Sequence, residues 1–468
     1  LRVNLINKSL TNWFGSRVCK KKYLRSPQLL RNQKVKKYSI LKFFKIKWNI
    51  VEDGGWHFSY LMDATGIQNK LKSFAHAEYN NEFYTHIKNI KRAIDSPQAL
   101  FGRNQKYEKN DLFIIVSSIV CCETECEYIK KLSLLKKKIL VIGPFATSNP
   151  KKYIEAGGIV IMGEPEFFFL KNKDLNLTEE NKIINFEHNF ELDDLPYPDW
   201  EGIIKSNKTS LLFGLEKSLP ILATRGCPYS CFKYCVYPLQ QGRKPRHREA
   251  KKIVDELEYW NKKLNIKMFI FRDPVFSINR KHTIEFCNEL INRNLKIRFI
   301  IETHLRILDS ELIKILKQAG LKAVKVGVES GVEEVLKDAN RFTIKKDEQL
   351  SKIRELEKNN ILISAMFIIG FPTDNEESIM KTIDYAKKLN ATFSQFSVWT
   401  PYPGTPVFKE YENKITAQNY EEFDQYHLVF KHKVLSQKKI REMLSKTYTM
   451  YYGRINWILK FFKNSLIA

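Results

Sequence analysis

Between residues 219 and 400, short apolar runs alternate with longer stretches in which apolar residues recur at helical spacing. The pattern predicts six buried strands, at Pro220–Thr224, Lys267–Phe271, Ile297–Ile301, Ala323–Val328, Ile363–Ile369 and Phe393–Trp399. The predicted helices between them include Ala250–Lys263, Thr283–Arg293, Ser310–Gln318 and Glu376–Leu389. Strand–helix units in this order predict an α/β fold, a partial (β/α)6 barrel, whose chemistry lies at the carboxyl ends of the strands.

A second, shorter alternation precedes the first. Apolar strands are predicted at Leu112–Val116, Ile139–Gly143 and Gly158–Gly163, with a charged helix at Glu123–Lys137. Apolar strands separated by helices indicate a parallel sheet that is covered on both faces. We therefore expect an incomplete Rossmann-like segment here, ending in a proline-containing linker at Asp193–Trp200.

Charge is distributed unevenly along the chain. The 468 residues carry a formal net charge of +26, and residues 1–50 hold fourteen Lys or Arg and no Asp or Glu. Clustered cations can bind nucleic acid or anionic lipid, so an RNA-binding modification protein is one alternative function. Lys, Asn and Ile are abundant throughout the sequence, however, and this bias explains much of the basic block. The first residue is Leu1, which we interpret as a missing start.

The strongest chemical signal is a group of three cysteines. Cys227, Cys231 and Cys235 directly follow the first predicted barrel strand. Thiolates are the ligands that iron–sulfur clusters take, and three of them leave one iron open for a substrate or cofactor. The alternatives are three unconnected cysteines or a structural zinc site, for which His247 is the nearest fourth ligand.

The other cysteines favour simpler interpretations. Eight cysteines in 468 residues exclude a disulfide framework and favour a reducing compartment, the cytoplasm. Cys121, Cys122 and Cys126 invite a second metal site, but their place after a strand favours ordinary loop cysteines. Cys287 has apolar neighbours on a predicted helix and is expected in the core.

Six segments together resemble a radical S-adenosylmethionine (SAM) enzyme of the subgroup that carries a cobalamin-binding domain. They are Arg225–Cys235, Phe271–Phe276, Ile301–His304, Val326–Gly331, Ile368–Thr373 and Thr400–Pro406. The resemblance implies a [4Fe–4S] cluster on Cys227, Cys231 and Cys235, whose open iron chelates SAM. The reduced cluster of such enzymes cleaves SAM to methionine and a 5′-deoxyadenosyl radical. The usual family spacing is C-x3-C-x2-C, whereas this chain has C-x3-C-x3-C, and we expect a bulge to absorb the extra residue.

The same resemblance implies several contacts to SAM. Tyr234 would lie near the adenine, and Glu302, at the end of the third strand, would point into the barrel mouth. Asp273 would accept a hydrogen bond from the SAM ammonium; alternatively, it is a turn or helix-capping residue.

Two further positions follow the fourth and fifth strands. Glu329 is implied as a polar contact to SAM, at its ribose, with a solvated strand-end carboxylate as the alternative. Arg341, shortly downstream, could pair with a carboxylate. Gly370 would allow the backbone to approach the adenine closely. The loop Thr400–Pro406 also matches the subgroup, although prolines alone would explain its stiffness.

Three short motifs resemble the second half of a cobalamin-binding domain. They are Val116–Ser118, Ile142–Thr147 and Gly163–Glu166, which in such domains lie against the corrin and its nucleotide tail. The first half of that domain is not recognisable in this sequence. Cobalamin is therefore a candidate cofactor, but not one that the sequence requires.

Residues 1–105 resemble a different family, the C-terminal part of family 17 glycosyltransferases of the β-1,4-mannosyl-glycoprotein N-acetylglucosaminyltransferase type. The resemblance rests on Gly54–Tyr60, Lys72–Glu78 and Leu100–Arg103. Trp56 and His57 could stack on a sugar or seal a small core. The family's acidic motif would lie upstream of Leu1, so a carbohydrate-binding or residual transferase role is an alternative function for this chain.

The sequence thus predicts four parts: a glycosyltransferase-like fragment (1–108), a partial cobalamin-type segment with its linker (109–200), a radical SAM core (201–430) and a basic helical tail (431–468). The predicted function is reductive SAM cleavage followed by radical methylation or rearrangement of an unidentified substrate. A flavodoxin- or ferredoxin-like protein would supply the electron, and the substrate would be a small molecule or glycan. Nucleic acid is not the expected partner. No apolar run is long enough to span a bilayer.

Overall fold

The computed structural model describes residues 3–6, 112–172, 182–185, 191–201 and 217–467. The chain divides into two compact units, Leu1–Phe113 and Ile114–Ala468. In the first, the structure describes the strand β1 (Val3–Ile6) and the start of the strand that follows. The other predictions for residues 1–108, Trp56 and His57 included, lie outside the described residues.

The larger sheet of the second unit has six parallel strands in chain order. They are β6 (Ser218–Ile221), β9 (Met268–Phe271), β10 (Arg298–Thr303), β11 (Leu321–Glu329), β12 (Leu362–Ile369) and β13 (Phe393–Val398). The six predicted strands are therefore all present. Side chains alternate between the buried and the less buried face along β11 and β12, as expected where helices cover one side of a sheet.

One predicted strand, Pro220–Thr224, is wrong in its extent. The sheet strand ends at Ile221, and a separate strand β7 (Thr224–Arg225) pairs antiparallel with β8 (Arg246–His247). The cause is distant in sequence: one carboxylate oxygen of Asp273 accepts hydrogen bonds from the backbone amides of Ala223 and Thr224. Those amides consequently leave the ladder, and the chain turns away from the sheet.

Helices connect the strands and pack against the sheet. Those of the larger sheet are Tyr237–Gln241, Ala250–Leu264, Arg280–Asn292, Ser310–Gln318, Glu333–Asp338, Lys346–Lys358, Glu376–Leu389 and Pro406–Tyr411. The rings of Phe271, Phe276, Phe286 and Phe299 contact one another in edge-on or tilted pairs between sheet and helices. Cys287 is fully buried in the same core, as predicted.

A smaller sheet contains β2 (Leu112–Val116), β3 (Lys138–Ile142), β4 (Ile159–Ile161) and β5 (Ile183–Ile184) in that order. The pairs β3–β4 and β4–β5 are parallel, which agrees with the parallel sheet predicted for a Rossmann-like segment. Its helices are Cys122–Leu134, Pro144–Ser148, Pro150–Glu155 and Pro165–Lys171.

The predicted helical tail forms two helices, Gln437–Tyr452 and Ile455–Ile467. The first packs on β13, where the Tyr448 hydroxyl donates to the carbonyl of Phe396 and the Tyr451 hydroxyl to that of Ala391. Within the ranges that the structure describes, every helix is too short or too polar to cross a membrane.

Candidate functional site

The three cysteines lie on the loop that joins β7 to β8, beyond the carboxyl end of β6. The loop opens at Gly226, whose φ of +94° is a conformation that other residues rarely adopt. A Cβ at this position would lie 2.3 Å from the carbonyl oxygen of Lys244, on the returning side of the loop. The amide of Cys227 donates to the carbonyl of Gly242 at 3.2 Å, so the two sides of the loop are held together at its base.

The unusual spacing of the second and third cysteines has a local explanation. Ser230–Lys233 forms a 3-10 helix, and the amide of Cys235 donates to the carbonyl of Cys231 at 3.1 Å. Residues three and four apart both share one face of a helical turn. The segment is therefore a helical turn and not the predicted bulge, and C-x3-C keeps the two thiols on one face as C-x2-C would.

The three thiols of the cysteine loop are largely shielded from solvent. Cys227 and Cys231 are buried and Cys235 is half-buried. Burial raises the pKa of the Cys227 thiol. Burial, reinforced by the neighbouring thiols and Glu329, raises the pKa of Cys235 to about 12. Metal binding by these cysteines would have to displace protons, which makes cluster uptake favour higher pH.

In the described parts of the chain, no fourth ligand for zinc lies together with the three cysteines. Among the described residues, no three Cys, His, Asp or Glu side chains converge closely enough to hold one metal ion. The ring of His247 instead contacts that of His282, with centroids 5.0 Å apart. Zinc requires all its ligands on one ion, whereas a cluster takes single thiolates on separate irons. Three sulfur donors on one loop thus fit an iron–sulfur cluster better than a zinc ion.

An ion pair lies against the cysteine loop. Nη2 of Arg341 is 3.3 Å from Oε1 of Glu329, which confirms that Arg341 pairs with a carboxylate. Nη1 of the same side chain is 3.4 Å from the sulfur of Cys231. Burial raises the pKa of Glu329, and Arg341 opposes this shift. Burial alone would lower the pKa of Arg341, but Glu329, Tyr234 and Cys231 outweigh it and leave that pKa raised.

The backbone around this ion pair is shaped to hold it. Glu329 itself has a φ of +66°, unusual for a residue with a side chain. A Cβ on Gly327 would lie 2.6 Å from Oε1 of Glu329 and 2.8 Å from Nη2 of Arg341. Gly327 thereby leaves room for the guanidinium, which also donates to its carbonyl at 3.0 Å. The Glu329 side chain is paired and only 13% exposed, so it is not a solvated strand-end carboxylate.

Asp273 is fully buried two residues after the end of β9 and contacts residues that lead into the cysteine loop. Its Oδ1 accepts the amides of Ala223 (3.0 Å) and Thr224, so the turn-residue alternative describes part of its role. Its Oδ2 has no hydrogen-bond partner in the described structure, which leaves one acceptor for a ligand. Burial raises the pKa of Asp273 to about 7, against the lowering effect of hydrogen bonds from Thr224 and Ala223.

We expect Asp273 to contribute a pH-dependent term to stability. The folded state binds its proton more tightly than the unfolded chain does, so this contribution is full below about pH 4 and is lost as pH rises through about 7. Asp273→Asn keeps an acceptor for the two amides and should make the free energy of unfolding less dependent on pH. Asp273→Ala should lower the free energy of unfolding by about 2–4 kcal/mol, because two buried donors lose their acceptor. Urea unfolding at several pH values checks this; equal slopes for wild type and Asp273→Asn would contradict it.

Glu302 and Tyr234 each interact electrostatically with Glu329. Glu302 lies on β10 beside Lys325 of β11, and burial raises the pKa of its carboxyl despite Lys325 and Arg272. The Tyr234 ring meets the ring of Phe371 edge-on, with centroids 6.1 Å apart. The Tyr234 hydroxyl is buried without a hydrogen-bond partner among the described residues.

Gly370 directly follows β12 and has a φ of +75°. A Cβ there would lie 2.9 Å from Cδ1 of Ile440 on the helix Gln437–Tyr452. Packing of that helix is therefore sufficient to explain this glycine. Its predicted contact with adenine stays a prediction.

The second cysteine group is buried and lies on a helix. Cys121 ends a 3-10 helix, whereas Cys122 and Cys126 lie on Cys122–Leu134, so the loop expected for these residues is wrong. A hydrogen bond with Cys126, followed by burial, raises the pKa of the Cys122 thiol. No metal-ligand group forms here within the described part of the chain.

The motifs that resemble a cobalamin-binding domain use their polar groups within the protein. Oγ of Ser117 accepts the amide of Ala146 at 2.8 Å, and Oγ1 of Thr147 accepts the amide of Gly163 at 3.0 Å. In residues 112–172, no buried side-chain nitrogen or oxygen lacks a partner. Cobalamin stays a candidate cofactor on the sequence motifs alone.

Sequence reasoning missed the residues that hold the cysteine loop from outside. Arg225 and Arg246, on β7 and β8, both form ion pairs with Glu164, which follows β4. The available signal was a pair of arginines bracketing the cysteine loop, but their partner lies about sixty residues upstream in a different motif.

Comparison with known proteins accounts for this arrangement. Residues 221–386, from the end of β6 into the helix Glu376–Leu389, match the Radical SAM superfamily. Residues 221–386 form a radical SAM domain. The predicted cofactors, a [4Fe–4S] cluster and SAM, are those of this superfamily. The cysteine loop, Asp273, Glu302, Glu329 and Gly370 all lie within the radical SAM domain.

Two curated relatives extend the match. Bacteriochlorophyllide d C-12(1)-methyltransferase of Chlorobaculum tepidum is 30% identical over 236 residues, 49% of this chain and 50% of that protein. Anaerobic magnesium-protoporphyrin IX monomethyl ester cyclase of Cereibacter sphaeroides is 30% identical over 259 residues, 54% of this chain and 42% of that protein. The chain spans about half the length of the curated relatives that it matches.

A solved structure shares the fold. The radical SAM methyltransferase TsrM from Kitasatospora setae, with cobalamin and a [4Fe–4S] cluster bound, superposes with a TM-score of 0.53 at 15% identity. The alignment covers 73% of this chain and 78% of that chain. It therefore reaches well beyond the radical SAM domain.

Proposed function

We propose that this chain is a radical SAM enzyme that holds a [4Fe–4S] cluster on Cys227, Cys231 and Cys235. The carrying observation is the placement of three thiols on one loop beyond the carboxyl end of the first strand of a six-stranded parallel sheet. We also infer that this sheet is the partial (β/α)6 barrel, because its strands follow in chain order with helices between them. When bound, the reduced cluster supplies the electron that cleaves SAM to methionine and a 5′-deoxyadenosyl radical.

The chain's own residues would bind and orient SAM. Asp273 offers the unpartnered Oδ2, which suits a cationic amino group. Tyr234 offers a buried hydroxyl and a ring beside Phe371, which suits a nucleobase. Glu329 offers carboxylate oxygens at the mouth, held in place by Arg341. These roles, with those of Glu302 and Gly370, are the site assignments that we propose.

Methyl transfer is the reaction outcome that we propose first, with ring closure or rearrangement second. Curated relatives named as methyltransferases and as a cyclase match at similar identity. By their names, the two reported relatives act on a bacteriochlorophyllide and on magnesium-protoporphyrin IX monomethyl ester, which are tetrapyrroles. We therefore propose a tetrapyrrole as the substrate class, in place of a glycan. A flavodoxin- or ferredoxin-like protein is the proposed reductant.

An experiment with isotope-labelled SAM separates the outcomes. The chain, reconstituted anaerobically with iron and sulfide, is incubated with dithionite, methyl-labelled SAM and magnesium-protoporphyrin IX monomethyl ester. A tetrapyrrole product that carries the labelled methyl group supports methyl transfer. A tetrapyrrole product that has lost hydrogen and carries no label supports ring closure. A chain that takes up the cluster but leaves the tetrapyrrole unchanged refutes the substrate class and not the enzyme class.

The glycosyltransferase-like and RNA-binding alternatives depended on residues 1–108. Apart from Val3–Ile6, those residues are outside the described structure. Both alternatives stay predictions from the sequence.

A further inference from the structure

Glu164 is a carboxylate in an unusual place. It follows β4, immediately before the helix Pro165–Lys171, and its side chain is only 2% exposed. A buried carboxylate is costly unless charged partners and hydrogen bonds satisfy it. Its partners therefore show what the residue does.

Both oxygens of Glu164 bind arginines. Oε1 is 2.7 Å from Nη1 of Arg225, and Oε2 is 2.7 Å from Nη2 of Arg246. Arg225 and Arg246 are cross-strand partners in the β7–β8 pair, so one carboxylate separates two like charges that would otherwise face each other. Glu166 adds a second acceptor for Arg225, also at 2.7 Å.

The two arginines stand at the two ends of the cysteine loop, residues 226–245. Arg225 directly precedes Gly226 and Cys227. Nη2 of Arg246 donates to the carbonyl of Gln241 at 3.1 Å, and the Gln241 side chain accepts the amide of Gly226 at 3.3 Å. Glu164 is thus connected to the base of the loop from both sides.

The segment that carries Glu164 is bonded to the helix Pro144–Ser148, because the amide of Gly163 donates to Oγ1 of Thr147 at 3.0 Å. That helix in turn contacts residues that follow β13. A Cβ on Gly404 would lie 2.6 Å from Cβ of Ser148, so the loop Thr400–Pro406 contacts the smaller sheet's helices closely. The rings of Phe145 and Tyr420 meet edge-on at 5.1 Å. The loop after β4 can therefore act as a fixed support.

We propose that Glu164 is a positioning residue that fixes both ends of the cysteine loop and so sets the geometry of the cluster ligands. The Gly163–Glu166 motif, which the sequence predicted to face a corrin, would serve the cluster instead. The inference rests on the proposed function, because it takes Cys227, Cys231 and Cys235 as cluster ligands. Charge-assisted contacts behind metal ligands commonly tune affinity by about 10- to 100-fold.

Glu164→Gln tests the proposal. Gln keeps the shape but presents an NH2 group to one guanidinium and removes the negative charge that Arg225 and Arg246 share, while Glu166 stays beside Arg225. We expect iron affinity to fall at least about 10-fold and the electron paramagnetic resonance (EPR) signal of the reduced cluster to change shape. The control is Glu155→Gln, which removes an exposed carboxylate at the end of the helix Pro150–Glu155 and should leave both quantities unchanged.

Arg246→Gln guards against misfolding of the first variant. It keeps the Glu164–Arg225 pair, so one buried pair stays compensated while the far end of the loop is released. A smaller change in the same EPR signal supports the proposal. The proposal is overturned if the Glu164→Gln chain has the EPR signal and the iron affinity of the wild type. If that chain does not fold, the same result for Arg246→Gln overturns the proposal. A wild-type chain that binds no iron refutes the proposed function and the positioning role together.

Discussion

Replacing Cys231 by alanine is expected to abolish cluster binding while the chain stays folded. Arg341 would lose its contact with the sulfur but would keep Glu329 and the carbonyl of Gly327 as partners. Because two thiols cannot hold a cluster that needs three, bound iron should fall from about four per chain to below about one, and SAM cleavage should fall to background. Iron and sulfide analysis after anaerobic reconstitution, with circular dichroism for folding, measures both parts.

Cys287→Ala is the matched control for that variant. Cys287 is fully buried among apolar side chains, and no ligand role is proposed for it. Its removal should cost roughly 1 kcal/mol of stability through the small cavity that it leaves, with iron content unchanged. If Cys231→Ala retains a full cluster, the assignment of this thiol is wrong.

Gly226→Ala is the second change for which we expect a large effect. The new Cβ would approach the carbonyl oxygen of Lys244 to 2.3 Å, and alanine would have to adopt a φ of +94°. Strain and clash together should cost at least about 2 kcal/mol. The loop can relieve the clash only by opening at its base, next to Cys227, so we expect iron binding to be lost in the fraction that stays folded.

Gly320→Ala separates loop geometry from general instability. Gly320 has a φ of +109°, and a Cβ there would lie 2.4 Å from the carbonyl oxygen of Ile297. The strain and the clash are similar to those expected for Gly226→Ala. Gly320, however, precedes β11 and lies at the opposite end of that strand from Glu329. Thermal unfolding should show similar losses for both variants, whereas iron per folded chain should fall only for Gly226→Ala. Equal iron content in the two variants would contradict a specific role for the loop base.

Local sequence signals were sufficient for much of the fold. The helices Ser310–Gln318 and Glu376–Leu389 have the predicted bounds, because Asp309 and Asn375 cap their first turns. The strand Pro220–Thr224 was misjudged because the residue that ends it, Asp273, lies fifty positions downstream. A contact of that range leaves no trace in the local apolar pattern.

In the site as well, local sequence patterns predicted some features, whereas others depend on contacts between distant segments. The three cysteines and the Arg341–carboxylate pair could be predicted because they lie in motifs or near a strand end. The helical turn that accommodates C-x3-C depends on backbone hydrogen bonds that spacing alone does not specify. The Glu164 contacts join two segments that the sequence predicted to be separate, and only the folded chain brings their charges together.

We expect this chain to use a cluster on the cysteine loop to cleave SAM reductively. The most direct test is to measure 5′-deoxyadenosine and methionine by mass spectrometry after incubating the anaerobically reconstituted chain with SAM and dithionite. We expect both products from the wild-type chain and neither from Cys231→Ala. A wild-type chain that carries a full cluster and forms neither product, with or without a tetrapyrrole, would contradict this expectation.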